Sequence, residues 1–144
     1  TVPPEMRNHP FFGKVHKYIM KLWDKFIRLN STDFLLSDIY NRKIYRKNLH
    51  DMNPNKLFNY MIQLMETENN IKVLSKLLPK IKNYSSKLIL YNYDSFLFDF
   101  DVKNDKMGYL KKIKVILEQD GKYPTKIKVG QNYHEMNDIT EKLV

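Results

Sequence analysis

Residues 87–101 read KLILYNYDSFLFDFD, and this stretch indicates that the fold contains β-strands. The segments Lys87–Asn92 and Phe96–Asp101 are rich in aromatic and branched residues, which are typical of β-strands. The polar interruption Tyr93–Ser95 lies between them and predicts a turn. The pattern therefore predicts a buried antiparallel hairpin whose three-residue tip carries polar side chains.

A long helical pattern precedes this hairpin. Asn53 can cap exposed backbone N–H groups, and Pro54 suits the first position of a helix. Apolar residues then recur every three to four positions, which predicts one helix over 54–80 or two helices broken near 69–70. Pro79 must lie close to the end, because proline does not continue a helix.

Two further helices are indicated by the same periodicity, one over Gly13–Arg28 with a basic outer face and one over Asp105–Gln119. Gly121 is the expected terminator of the second helix. The other segments predict an irregular lead-in over 1–12, a short hairpin pairing Phe34–Leu36 with Ile44-Tyr45, a last strand over 125–130 and a weakly structured tail over 131–144.

Strands interleaved with long helices favour an α+β fold, with the helices on one face of a mostly antiparallel sheet. The chain has 144 residues, 42% of them hydrophobic, which is enough for an ordinary core. It contains no cysteine, and this excludes disulfides and thiolate metal sites. Its apolar stretches are short and interrupted by lysine, so the sequence predicts no membrane span.

Basic residues outnumber acidic ones by 25 to 16, which gives a net charge of +9. Such an excess favours a polyanionic partner such as nucleic acid, and a solubilising lysine surface is the alternative. Arg42, Lys43, Arg46 and Lys47 concentrate this charge on the second half of the short hairpin. Basic residues on an exposed strand also protect an edge from aggregation.

Asp94 is the first candidate for chemistry, because it lies at the tip of the predicted central hairpin. A carboxylate on a rigid turn is a good ligand for a hard cation such as magnesium. Aspartate is also a common turn residue that caps local N–H groups, and spacing alone favours this second interpretation. Asp99 and Asp101, on the outgoing strand, are predicted to be ordinary surface residues.

The order of four elements resembles the C-terminal part of family A (Klenow-type) DNA polymerases. That part contains a long palm helix, a hairpin with a His-Asp-Glu tip, a helix, and a strand ending in Val-Gly. The segments that carry the resemblance are PFFGKVHKYIMKLWDKF (10–26), NRKIYRK (41–47), NPNKLFNYMIQLMETE (53–68), LILYNYDSFLFDFD (88–101) and LKKIKVILEQDGKYPTKIKVGQNYHEM (110–136).

The resemblance implies a division into residues 1–52, which join the fingers to the palm, and 53–144, the C-terminal part of the palm. It implies that Asp94 is the catalytic, metal-binding carboxylate and that Tyr93 and Ser95 lie at the primer end. The tip here reads Tyr-Asp-Ser and lacks the family's glutamate, which is typical of a divergent, viral-like member. The implied DNA-binding residues are Arg42, Lys43, Arg46, Lys47, Asn55 and Lys56.

The same resemblance implies template-directed nucleotidyl transfer with two Mg²⁺ ions. The second aspartate and the fingers helix are not in this chain, so we expect activity only in a longer chain or with a partner polypeptide. Thr1 in place of Met also suggests a processed or truncated chain. The other implied partners are template–primer DNA and a deoxynucleoside triphosphate, at an intracellular replication site that is cytoplasmic for a phage or bacterial protein.

The main alternative is a non-catalytic, basic nucleic-acid-binding module whose aromatic residues stack on bases. Such a module would bind DNA alone, with strong salt dependence and without metal. A structural or capsid-associated protein is a third, less favoured alternative.

Overall fold

A computed structural model describes residues 3–143, which form α-helices and short antiparallel strands. The mixed α+β class predicted from the sequence is confirmed. The helices are α1 Pro4–Asn8, α2 Phe12–Ile27, α3 Pro54–Ile81 and α4 Met107–Glu118. The strands are β1 Phe34–Leu36, β2 Lys43–Tyr45, β3 Lys87–Asn92, β4 Ser95–Asp99, β5 Lys128–Val129 and β6 Asn137–Asp138.

Within residues 3–143 the strands pair two by two as β1–β2, β3–β4 and β5–β6, all antiparallel. The single sheet with helices on one face that the sequence led us to expect is not formed there. Four of the six strands have only two or three residues. Strands of that length close a local hairpin but offer few ladder positions to a further strand.

The chain divides into two compact units, Thr1–Asn69 and Asn70–Val144. Helix α3 passes through this division without a break, so of the two predicted alternatives the single helix is the one observed. The Oδ1 atom of Asn53 accepts a hydrogen bond of 2.9 Å from the N–H of Lys56, which confirms the predicted cap. Pro79 stands in the last turn of α3, as expected.

The core of the first unit gathers the apolar stripe of α2, the β1–β2 hairpin and the first turns of α3. Phe26 and Leu57 are fully buried in it. Replacing a buried phenylalanine with alanine typically costs about 3–5 kcal/mol, so Phe26 is a main contributor. The buried members are Phe26, Leu35, Ile44, Leu49 and Leu57.

The lead-in is helical where the sequence predicted irregular structure, because α1 occupies part of it. The Nδ1 atom of His9 accepts hydrogen bonds from the N–H groups of Phe11 and Phe12, at 3.2 and 3.4 Å, and caps α2. Gly13 is buried, and a Cβ there would clash with the backbone carbonyl of Arg7. A glycine at this position therefore permits the close approach of α1 to α2.

The core of the second unit forms between the end of α3, helix α4 and the C-terminal turn. In α4, Met107 is 45% exposed, whereas Tyr109 is buried. The helix ends earlier than Gly121, because Gln119 already adopts the left-handed conformation with a φ of 47°. The buried members are Leu77, Ile81, Tyr109, Leu110, Ile113 and Leu143.

The tail is more ordered than the sequence pattern indicates. Strand β6 pairs with β5, and the N–H of Ile139 donates to the carbonyl of Ile127 at 2.9 Å. A 3-10 turn over Thr140–Leu143 follows and brings Leu143, 5% exposed, into the core. This order depends on pairing between segments about ten residues apart, so no local periodicity predicts it.

A polar network fixes the loop between β4 and α4. The carboxylate of buried Asp105 accepts a 2.6 Å hydrogen bond from the N–H of Ser86, which is 1% exposed. The hydroxyl of Ser86 in turn accepts from the N–H of Asp101 at 2.9 Å. Burial raises the pKa of Asp105, but hydrogen bonds from Ser86 and Ser85 outweigh it, and its pKa lies below the ordinary 3.8.

We expect the free energy of unfolding of Asp105→Asn to vary less with pH in the acidic range than that of the wild type. Because the pKa of Asp105 is lower in the folded chain than in the unfolded chain, its contribution is present above about pH 4 and is lost as the pH falls through the folded value. The variant should be less stable than the wild type at pH 7, and the difference should shrink toward about pH 2. Urea unfolding at several pH values measures this.

Asp120→Asn is the matched control, since it removes the same charge from an exposed position. A stability–pH slope of Asp105→Asn identical to that of the wild type would contradict this account of the network.

Candidate functional site

The central hairpin closes with two residues at its tip, Tyr93 and Asp94. Asn92 and Ser95 form the last pair of the β3–β4 ladder, so the predicted three-residue turn is one residue too long. The hydroxyl of Ser95 donates to the carbonyl of Asn92 at 3.0 Å and reinforces this closure. Tyr93 has a φ of 51°, a left-handed conformation that is uncommon for a residue of its size.

The tip presents Asp94 and Tyr93 to solvent. Asp94 is exposed, and the Tyr93 side chain is 84% exposed. The side-chain amide of Asn70, on α3, donates to the Tyr93 carbonyl at 2.9 Å and to the Tyr91 hydroxyl at 3.2 Å. The carboxylate of Asp94 therefore projects from a turn that is tied to a long helix.

The prediction that this hairpin is buried is wrong, because every residue of β3 and β4 is at least partly exposed. A β-bulge lies between Leu88 and Leu90, and it places Ile89 and Leu90 on the surface with 61% and 51% exposure. The bulge shifts the alternation of inward and outward side chains by one position. Leu88 and Phe98 pack against the core of this unit.

Asp94 fits magnesium only as one ligand of a shared site. Mg²⁺ keeps several waters and is held by one or two carboxylates, so a single exposed carboxylate is a plausible half of such a site. Within residues 3–143, no group of three or more histidine and carboxylate side chains could hold a metal ion. The Ser95 hydroxyl donates to a backbone carbonyl and remains able to accept.

Neither Asp99 nor Asp101 joins the tip. Asp99 is exposed at the far end of β4, opposite Lys87. The side-chain amide of Asn104 is the main cause of a lowered pKa at Asp101, and the N–H groups of Asn104 and Lys103 add to it. Both aspartates therefore occupy structural or surface positions.

The six predicted DNA-binding residues lie in the first unit and differ in accessibility. Arg46 is half-buried; its guanidinium stacks on Phe26 at 4.0 Å and donates to a backbone carbonyl. Lys43 lies 4.8 Å from the ring of Phe34. The ammonium group of Lys56 donates to the carbonyl of Asp51 at 3.3 Å. The exposed members are Arg42, Lys43, Lys47, Asn55 and Lys56.

Glu68 is a buried carboxylate that the sequence analysis missed, and it orders the loop of the β1–β2 hairpin, which we call the basic hairpin. Glu68, on α3, has no exposed surface and accepts a 2.6 Å hydrogen bond from the hydroxyl of Ser37. It also accepts from the N–H groups of Ile39 and Tyr40, both at 3.3 Å. The Ser37 oxygen accepts from the N–H of Arg42 at 2.8 Å, so the network reaches the first basic residue.

Sequence spacing contains a signal for Glu68. Positions 57, 61, 64 and 68 repeat at three- and four-residue intervals, and the first three hold residues of the apolar stripe. A glutamate that continues such a stripe is a candidate for a buried, hydrogen-bonded role. No comparable signal marks Asn70.

Comparison of the chain with protein-family models, with curated proteins and with solved structures finds no match. The resemblance to family A DNA polymerases therefore stays a hypothesis that depends on the quoted segments and on the tip geometry. Among the described residues, no helix combines the length and the apolar character needed to cross a membrane.

Asn70→Ala should release the tip, because two hydrogen bonds worth about 0.5–1.5 kcal/mol each are removed. We expect the backbone order parameters of Tyr93 and Asp94 to fall below about 0.6, the range of flexible segments. Nuclear magnetic relaxation measures them. Asn59→Ala, at an exposed position of the same helix, is the control, and equal order parameters in the two variants would contradict the anchoring role.

Glu68→Gln should lower the free energy of unfolding by about 1–3 kcal/mol, because one carboxylate oxygen becomes an NH₂ donor. This NH₂ faces either the Ser37 hydroxyl, which then loses its acceptor, or the N–H groups of Ile39 and Tyr40. Glu66→Gln, exposed on the same helix, should change it by less than about 0.5 kcal/mol. Urea denaturation followed by circular dichroism compares them. Equal destabilisation by both substitutions would show that the buried network contributes nothing specific.

Proposed function

We propose that this chain is the C-terminal palm segment of a DNA-directed DNA polymerase similar to family A, and that Asp94 is its metal-binding carboxylate. The observation that supports this most is the presentation of Asp94 on a solvent-exposed, two-residue tip tied to α3 through Asn70. The tip follows a 28-residue helix and precedes α4 and β5, in the order of the segments that resemble the family.

The proposed reaction is transfer of a nucleotide to a primer. The 3′-oxygen of the primer attacks the α-phosphorus of a deoxynucleoside triphosphate, the bond to the β-phosphate breaks, and pyrophosphate leaves. When bound, the two Mg²⁺ ions lower the pKa of the attacking hydroxyl and neutralise charge on the leaving group. Asp94 would hold magnesium together with an aspartate from outside this chain, and the exposed Tyr93 and Ser95 would contact the primer end.

A partner polypeptide, or a further part of a longer chain, is the second element of the proposal. Within residues 3–143, β3 and β4 pair only with each other, so each has an edge with unpaired backbone groups. An isolated two-stranded ladder is marginally stable in water. Exposed Ile89 and Leu90 add apolar surface beside that edge, which favours a strand that supplies the missing aspartate.

The DNA-binding residues of the proposal fall into two groups. Lys47 and Arg42 are exposed on the basic hairpin and its flank, where they suit contacts to phosphates. Asn55 is exposed in the first turn of α3 and suits a contact to the minor groove or the sugar–phosphate backbone. The net charge of +9 supports binding to a polyanion.

A non-catalytic nucleic-acid-binding module is the second candidate. It is favoured by exposed aromatic rings, which suit base stacking, notably Tyr93 at 84%, Tyr133 at 70% and Phe11 at 64% exposure. This module would bind single-stranded DNA even when a chelator removes divalent metal ions, whereas the polymerase segment requires a divalent ion for its activity. A co-purifying chain that carries an aspartate-bearing strand and a fingers helix would favour the polymerase.

Asp94→Ala, in the enzyme assembled with its partner segment, should reduce nucleotide incorporation by at least about 10³-fold while DNA affinity stays within about three-fold. Primer-extension assays and fluorescence anisotropy with the same template–primer measure the two quantities.

Asp99→Ala is the matched control, because it removes a carboxylate from the other end of the same strand. It should retain incorporation within about three-fold of the wild type. Normal incorporation by Asp94→Ala would refute the proposed role of Asp94.

A further inference from the structure

An open cavity of about 290 Å³ lies in the first unit, beside the 3-10 turn Arg46–Asn48 that follows β2. Its volume corresponds to roughly ten water molecules. Donor side chains dominate its lining, and none of the lining residues is acidic. These residues are Leu29, Ser31, Arg46, Lys47, Leu49 and His50.

The guanidinium of Arg46 is held in place before any ligand arrives. It lies 4.0 Å from the centre of the Phe26 ring, and one of its N–H groups donates to the Leu49 carbonyl at 3.2 Å. The backbone N–H of Arg46 donates to the carbonyl of Asp33 at 2.8 Å. Guanidinium has five N–H donors, so this restraint leaves most of them for an anion and lowers the entropy cost of binding it.

The remaining walls supply further donors around the same cavity. The backbone N–H of Lys47 donates to the carbonyl of Ser31 at 3.3 Å and joins the two sides of the cavity. The side chains of Ser31, Lys47 and His50 are exposed and can turn toward a bound group. The carboxylate of nearby Asp33 accepts from the N–H of Asn30 at 2.8 Å.

We propose that this cavity binds a phosphate group of a nucleic-acid backbone, with Arg46 as the fixed donor and Lys47, His50 and Ser31 completing the site. Phosphate recognition itself follows from these donors, and only the choice of a DNA strand depends on the proposed function. A strand is favoured over a free nucleotide because no Phe, Tyr or Trp ring lines the cavity to stack on a base.

The first test is titration of the ¹⁵N-labelled chain with inorganic phosphate, followed by nuclear magnetic resonance. We expect the amide resonances of Ser31, Lys47 and His50 to shift with a common affinity. The double variant Lys47→Gln/His50→Gln should weaken phosphate binding by about ten-fold, because the charge of the Lys47 ammonium group and the imidazole donor of His50 are lost. Arg46 is left unchanged in this variant because it also supports the core.

Lys122→Gln is the matched control, since it removes one lysine charge from an exposed position in the other unit. Equal weakening by the control, or the absence of shifts around the cavity, would overturn the site. The Asp94→Ala variant should bind phosphate as the wild type does, so failure of the metal role and failure of the cavity are separate results.

Two further experiments distinguish a nucleic-acid strand from a free nucleotide as the source of the phosphate. A short DNA duplex and a single strand should displace inorganic phosphate from the cavity, and the double variant should bind DNA with a reduced salt dependence. A deoxynucleoside triphosphate that binds the cavity and is not displaced by DNA would overturn the assignment to a strand.

Discussion

Two side chains of α3, Glu68 and Asn70, form the hydrogen bonds that hold the segments carrying the candidate site residues. Asn70 binds the carbonyl of Tyr93 and thereby fixes the tip that carries Asp94. Glu68 accepts three hydrogen bonds from the loop that leads to Arg42. The contacts of Glu68 are buried or half-buried, and they are costly to break because each released donor must be satisfied elsewhere. Within each unit, a polar side chain of α3 therefore holds a hairpin of that unit in place.

The sequence predicts helices α2, α3 and α4 and the hairpins β1–β2 and β3–β4, because these depend on local patterns. The cap at Asn53 agrees with that prediction, and the unbroken course of α3 is one of its two alternatives. The partners of Glu68, the bulge at Ile89 and the insertion of Leu143 into a core depend on contacts between distant segments. Local patterns contain little information about such contacts, so these features could not be predicted.

The sequence predicts the candidate site less completely than it predicts the fold. The position of Asp94 at a hairpin tip follows from sequence, whereas the exposure of that hairpin does not, since a strongly apolar strand pair normally indicates burial. Within residues 3–143, β3 and β4 pair only with each other, and Leu90 beside them is 51% exposed. We propose one explanation for the unpaired edges and for the single carboxylate at the tip, which is that another segment supplies both the next strand and the second carboxylate.

Broadening of backbone resonances by Mn²⁺ in the presence of template–primer DNA is the sharpest test of metal binding at Asp94, because Mn²⁺ replaces Mg²⁺ and acts only over short distances. We expect the resonances of Tyr93, Asp94 and Ser95 to broaden at a lower Mn²⁺ concentration than that of Asp99, and we expect Asp94→Ala to remove this preference. Broadening that begins elsewhere, or that is equal at the two aspartates, would contradict it.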